Sequence, residues 1–294
     1  MAAFVRVHSP ASGLARGLSS SKSCATPGRR CVLASARGMS ASSDGGRWVE
    51  YQDDGVRLKG YLVQAKGSPD AAGTKQTPGV VIAHTAVGVN DDFVLRRTEA
   101  VAALGYDAFA IDMYGNGEGV FDPTRNRALR APLMADRPKM VQRAFAGVSA
   151  FTSSCPSTNP NMLAAMGYCF GGLVVLDMAR AANPHLRAVF SYHGILDRPD
   201  LPHKDVVAKV VVFHGIHDPF VSEENLREFG TEMEHRHADW QLYRYEAMHA
   251  FTRPEKTTEQ DRKAGLYYNG EATRDSWLHT TRLLSCYLHT AGGP

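Results

Sequence analysis

Apolar residues in this chain fall into short continuous runs separated by longer amphipathic stretches, as expected of strands buried on both faces and of helices that cover them. Gly79 to Ala83 (GVVIA), Ala108 to Met113 (AFAIDM), Leu163 to Met166 (LAAM), Ala188 to Tyr192, Val210 to His214 and Trp240 to Tyr245 read as strands. Between them, Asp92 to Leu104 places Val94, Val101 and Leu104 on one helical face, and Lys139 to Ser153 is a second helix. Ser222 to His235 has a serine cap, an acidic first turn and Leu226, Phe229 and Met233 toward a core. Glu271 to His289 aligns Trp277, Leu284 and Leu288. Ahead of these units, Trp48 to Val63 reads as a two-stranded hairpin turning at Gly55, and Ser68 to Pro78 as a surface loop. Residues 121 to 138 hold three prolines and Arg125, Arg127, Arg130 and Arg137 without a clear period, so they read as an excursion over the top of the sheet.

Repeated strand–helix units predict an α/β fold with a mostly parallel central sheet and helices on both faces. A single domain of that kind accommodates residues 45–294. Residues 1–44 differ in composition. Met1 to Ser43 contains no acid, is rich in Ser and Ala, and carries Arg6, Arg16, Lys22, Arg29, Arg30 and Arg37, the composition of a transit peptide, and it is expected to be a disordered leader. That composition places the protein in an organelle, a mitochondrion ahead of a plastid, or in the cytoplasm if the leader is not a targeting signal. Without those six basic residues the formal charge of +3 becomes about −3, which removes the support for a nucleic-acid partner. No apolar run is long enough for a membrane span.

The candidate chemistry lies in NMLAAMGYCFGGLVVL, Asn161 to Leu176, where an apolar strand reverses into an apolar helix through Gly167-x-Cys169-x-Gly171. Small residues two positions either side of the tip let strand and helix approach closely, and the helix N-terminus favours a thiolate at Cys169. This is the nucleophile-elbow pattern with a thiol in place of a hydroxyl. A free cysteine is more often a small buried hydrophobe, so the assignment needs a base and an acid downstream. Both occur in order: Asp218 in HGIHDP follows one strand, and His249 in AMHAF follows the next. His249 would take the thiol proton and Asp218 would hold the ring's tautomer. The loop His84 to Asn90 would supply one oxyanion N–H, from Ala86, and Phe170 the other. His84, His193 and His214 end strands and read as partners of nearby carbonyls. Gly115, Gly117 and Gly119 lack the spacing of a dinucleotide loop, and the remaining Cys155, Cys169 and Cys286 form neither a zinc pattern nor a disulfide framework. No cofactor and no metal are expected.

TAVGVN at 85–90, DMYGNGEG at 112–119, GYCFGG at 167–172, HGIHDPFV at 214–221 and HAFTR at 249–253 together resemble the dienelactone hydrolases of the α/β-hydrolase fold, over most of residues 50–290. The resemblance implies that Cys169, Asp218 and His249 form a catalytic triad, with Ala86 and Phe170 as oxyanion donors. It also implies that Arg253, four positions after the histidine, binds a substrate carboxylate. Thr85 stands where the bacterial enzymes have a glutamate, and Ala250 where they have a serine. A carboxylic ester, lactone or thioester hydrolase working through a thioacyl intermediate is the expected function. The alternative is a non-catalytic module of the same fold that binds a small molecule or senses redox state through Cys169.

Overall fold

The structure, a computed structural model, describes residues 3–5, 45–67 and 76–289. Its strands are β1 (Ala3–Val5), β2 (Arg47–Asp53), β3 (Val56–Val63), β4 (Thr77–Ala83), β5 (Asp107–Ile111), β6 (Thr158–Tyr168), β7 (Leu186–Tyr192), β8 (Lys209–Gly215) and β9 (Trp240–Tyr245). Its helices are α1 (Asp92–Ala103), α2 (Pro123–Ala135), α3 (Arg137–Ser154), α4 (Phe170–Arg180), α5 (Glu223–His235), α6 (Glu259–Lys263) and α7 (Gly270–His289). The strands form one sheet in the order β1-β9-β8-β7-β6-β4-β5-β3-β2. From β5 to β9 all pairings are parallel, while β2, β3 and β1 join antiparallel at the two edges. Apart from Ala3–Val5, the predicted leader lies outside the described residues, as do residues 68–75 of the predicted loop.

The buried runs supply two cores because successive side chains leave a strand on opposite faces. Val81, Ala165, Val189 and Val212 face α3, α4 and α5, where Ala144, Phe151, Leu173, Val174 and Phe229 meet them. Val80, Ile82, Met166, Val211 and Phe213 face α1 and α7, against Val94, Val101, Leu284 and Leu288. Both faces are therefore sealed, and what remains accessible is the sheet's carboxyl edge, where the loops gather.

Residues 121–138 are not an irregular excursion. They hold α2 and the start of α3, separated by Asp136. Asp122 caps α2 by accepting from the Arg125 N–H at 2.7 Å, and Pro123 occupies the first turn, where its missing N–H is harmless. Only Leu129, Leu133 and Met134 of α2 reach the core, so its apolar stripe is too short to reveal a period. The elbow strand is also longer than its apolar run. β6 begins at Thr158 and passes through exposed Asn161 before its buried half.

A chain of buried ion pairs binds α3, α4 and α5 on the face behind the elbow. Arg137 Nε lies 2.5 Å from Asp177 Oδ2, and Arg180 bridges Asp177 at 2.9 Å and Glu232 at 2.7 Å. Arg236 closes the series onto Glu232 at 2.8 Å. Each member is buried.

Candidate active site

β6 delivers Cys169 to the sheet's carboxyl edge at φ 56°, ψ −114°, a left-handed conformation that costs energy for any residue other than glycine. The flanking glycines make it possible. A Cβ on Gly167 would lie 2.0 Å from the Gly171 carbonyl oxygen, and one on Gly171 would lie 2.1 Å from that of Ala83. Gly171→Ala is therefore expected to destabilise at or above the upper end of the ~1–3 kcal/mol usual for overpacking, because the atoms in its way are backbone. Urea titration measures this.

Cys169 stands at the cap position of α4, where its carbonyl accepts the Gly172 and Leu173 N–H groups at 3.0 and 3.3 Å and the Phe170 N–H is directed at its sulfur. The loop after β8 supplies Asp218 and the loop after β9 supplies His249. Asp218 Oδ2 lies 2.7 Å from His249 Nδ1, and Asp218 Oδ1 accepts the Phe220 N–H at 2.9 Å. With Nδ1 bound to the carboxylate, Nε2 is the ring atom left for Cys169. Burial pushes the Cys169 thiol up, but the charge and hydrogen bond of His249, together with the Phe170 and Ala86 N–H groups, outweigh it and bring the thiol below its ordinary range. Burial pulls His249 down, and the sulfur's charge, with bonds to Asp218 and Cys169, more than offsets this and raises the imidazole to about 10. Both directions favour a thiolate–imidazolium pair at neutral pH.

The loop between β4 and α1 is braced on several sides. Asp112 gathers the N–H groups of Tyr114, Gly115 and Gly117 at 2.8–2.9 Å, which folds the glycine-rich segment into a turn. That turn feeds a segment that runs alongside the loop, with Val120 N–H donating to the Val87 carbonyl at 2.6 Å and Asn90 N–H to that of Glu118 at 3.4 Å. Thr85 does not reach for the sulfur. Its hydroxyl donates to Asp91 Oδ2 at 3.2 Å and accepts from the Val87 N–H at 3.2 Å.

Arg253 is buried at 8% exposure and already bonded. Its Nη1 donates to Thr85 Oγ1 at 3.0 Å and lies 2.8 Å from Asp91 Oδ2, its Nη2 donates to Asp91 Oδ1 at 3.2 Å, and its Nε pairs with Glu255. Two carboxylates therefore meet this guanidinium before any substrate does. If charge pairing with substrate were its task, Arg253→Ala would raise KM for anionic esters and leave that for neutral ones unchanged. The observed pairing predicts instead that KM for anionic and neutral esters changes in parallel, which steady-state kinetics on a matched pair would show.

His193, read from sequence as a strand-ending histidine, packs edge-on to the His249 ring at 5.0 Å between centroids. Its Nδ1 accepts the Cys169 N–H at 3.2 Å, so in the neutral ring Nε2–H donates to Thr252 Oγ1 at 2.8 Å. Burial first, then the charges of His249 and Arg253, push His193 well below the ordinary histidine range and keep it neutral. Phe220, half exposed, closes the other side of His249 at 4.9 Å. Among the described residues no group of three or more His, Cys, Asp or Glu side chains could hold a metal ion, and no helix is long and apolar enough to cross a membrane.

Strand order, elbow geometry and loop placement together define an α/β-hydrolase. The sequence model of the dienelactone hydrolase family matches residues 59–288, and the chain belongs to that family. Among solved structures, a dienelactone hydrolase-like promiscuous phosphotriesterase from metagenomic libraries is 31% identical, with a TM-score of 0.75, covering 82% of this chain and 98% of that one. An uncharacterized protein of Caenorhabditis elegans is 33% identical over 149 residues, 50% of this chain and 92% of that protein. A protein of Aquifex aeolicus, provisionally named carboxymethylenebutenolidase, is 22% identical over 221 residues, 74% of this chain and 92% of that protein.

Proposed function

We propose that this member of the family hydrolyses small carboxylic esters or lactones with Cys169 as nucleophile, His249 as acid and base, and Asp218 as the group that orients His249. The observation that carries the reading is the Cys169 sulfur set on a strained elbow against His249, with the Phe170 and Ala86 N–H groups directed at it. The thiolate adds to the acyl carbon, and the carbonyl oxygen takes up negative charge beside those two N–H groups. Collapse breaks the bond to the alkoxide leaving group, which takes the proton from His249 Nε2 and leaves a thioester on Cys169. Water then gives a proton to His249 and its hydroxide to the thioester carbon. The carboxylic acid departs and the thiolate–imidazolium pair returns.

Phe220 offers an exposed apolar face beside His249, which suits an ester with an apolar or aromatic portion. Phe220→Ala is expected to raise KM for aryl esters by roughly 3- to 10-fold, the loss of about 0.5–1.5 kcal/mol of aromatic contact, with kcat little changed. The whole reading is tested by acid-quenching the enzyme during turnover of an activated ester and weighing the intact protein. An added acyl mass on wild type, absent from Cys169→Ala, supports it; turnover with no acyl mass on Cys169 contradicts it.

A further inference from the structure

His84 follows β4 directly, is fully buried, and takes no part in the proton transfers above. Its Nδ1 lies 2.6 Å from the Thr85 carbonyl oxygen, and its Nε2 lies 3.1 Å from the Met113 nitrogen. A backbone N–H can only donate, so Nε2 is the unprotonated ring atom and the proton is on Nδ1. The ring therefore donates Nδ1–H to the Thr85 carbonyl. Burial, the leading influence on its pKa, pulls His84 below the ordinary histidine range and preserves this neutral form. Tyr114, at 4.6 Å between centroids, and Phe170, at 5.9 Å, hold the ring from its sides.

The consequence follows from peptide geometry. A peptide unit is planar and trans, so its C=O and N–H point in opposite directions. The carbonyl His84 holds belongs to the same unit as the Ala86 N–H, which is directed at the Cys169 sulfur. Gly88 N–H, at 3.3 Å, is a second donor to that carbonyl. Freed of these bonds, the unit could rotate and withdraw its N–H from the reacting centre. We propose that His84 is a positioning residue that sets the Thr85–Ala86 peptide plane and thereby aims one of the two oxyanion donors. The inference rests on the hydrolase reading above and assigns His84 a part in transition-state stabilisation rather than in proton transfer.

The test compares isosteric substitutions at His84. The amide nitrogen of His84→Asn falls near the position of Nδ1 and can still donate to the Thr85 carbonyl. The amide of His84→Gln falls near Nε2 and can satisfy Met113 but not Thr85. Turnover of a neutral p-nitrophenyl ester is measured per Cys169 thiol titrated with iodoacetamide, so that loss of folded enzyme does not enter the rate. Removing an oxyanion donor costs about 10²- to 10³-fold in kcat. His84→Gln is accordingly expected to lose on the order of 10²-fold in kcat with little change in KM, and His84→Asn to stay within about tenfold of wild type. An Asn variant no faster than the Gln variant, or losses that disappear once normalised per thiol, would overturn the assignment. If wild type itself turns over no ester, the hydrolase reading fails instead.

Discussion

Cys169→Ala is expected to reduce ester turnover by on the order of 10⁴-fold or more while leaving the fold intact, the magnitude typical of removing a nucleophile from a set of groups that act together. The stability expectation follows from the elbow. Cys169 is strained at φ 56°, and an alanine there keeps the same backbone with a smaller side chain, so no new clash arises. Circular dichroism and the thermal midpoint should therefore match wild type. Cys169→Ser offers a finer comparison. A hydroxyl is far less acidic than a thiol, so the charge pairing that sustains the thiolate–imidazolium pair is lost, and serine should recover only a small part of the rate. A folded Cys169→Ala enzyme with undiminished turnover would leave the site without its nucleophile.

Asp177→Ala is expected to destabilise the protein by about 3–5 kcal/mol, the usual cost of removing one partner from a buried ion pair. Asp177 accepts from Arg137 and Arg180, and both arginines are buried. Without the carboxylate, Arg137 keeps its charge with no other acid paired to it among the described residues, and Arg180 retains Glu232 alone. The large figure measures the stranded charge rather than the worth of the pair, since a matched apolar replacement of the whole network could be neutral. Because Asp177 lies on α4 behind the elbow, the residual folded enzyme should still turn over substrate. A urea midpoint close to that of wild type would contradict the account of this network.

Much of this arrangement is legible in the chain. GVVIA and VVVFH can hardly be anything but strands buried on both faces, and the glycines around Cys169 announce a close strand–helix approach. Asp218 and His249 stand out because each comes soon after a strand. α2 escapes because its contact with the core is brief, and Pro132 and four charged or amide side chains obscure its period. The surroundings of the site are harder still to read. His84, His193 and Arg253 owe their roles to partners distant in sequence or to the plane of one peptide, and the chain's twelve histidines look alike until the sheet aligns them. Arg253 illustrates the limit: the family resemblance of HAFTR implies a ligand for anions, while Asp91, some 160 residues earlier, already faces it.

The pairing of Cys169 with His249 is tested most directly by the rate of Cys169 alkylation with iodoacetamide as a function of pH, in wild type and in His249→Ala. The thiol's pKa is lowered in the folded protein and that of the imidazole is raised, so thiolate persists as pH falls below the ordinary thiol range, and imidazolium is lost only on the alkaline side. Wild type should thus react across neutral pH with an apparent pKa well under the ~8.5 of a free cysteine. Without His249 the burial of the sulfur is no longer offset by that charge, and the profile should move to higher pH with little reaction at neutrality. Identical profiles in the two proteins would contradict the pairing on which the proposed chemistry depends.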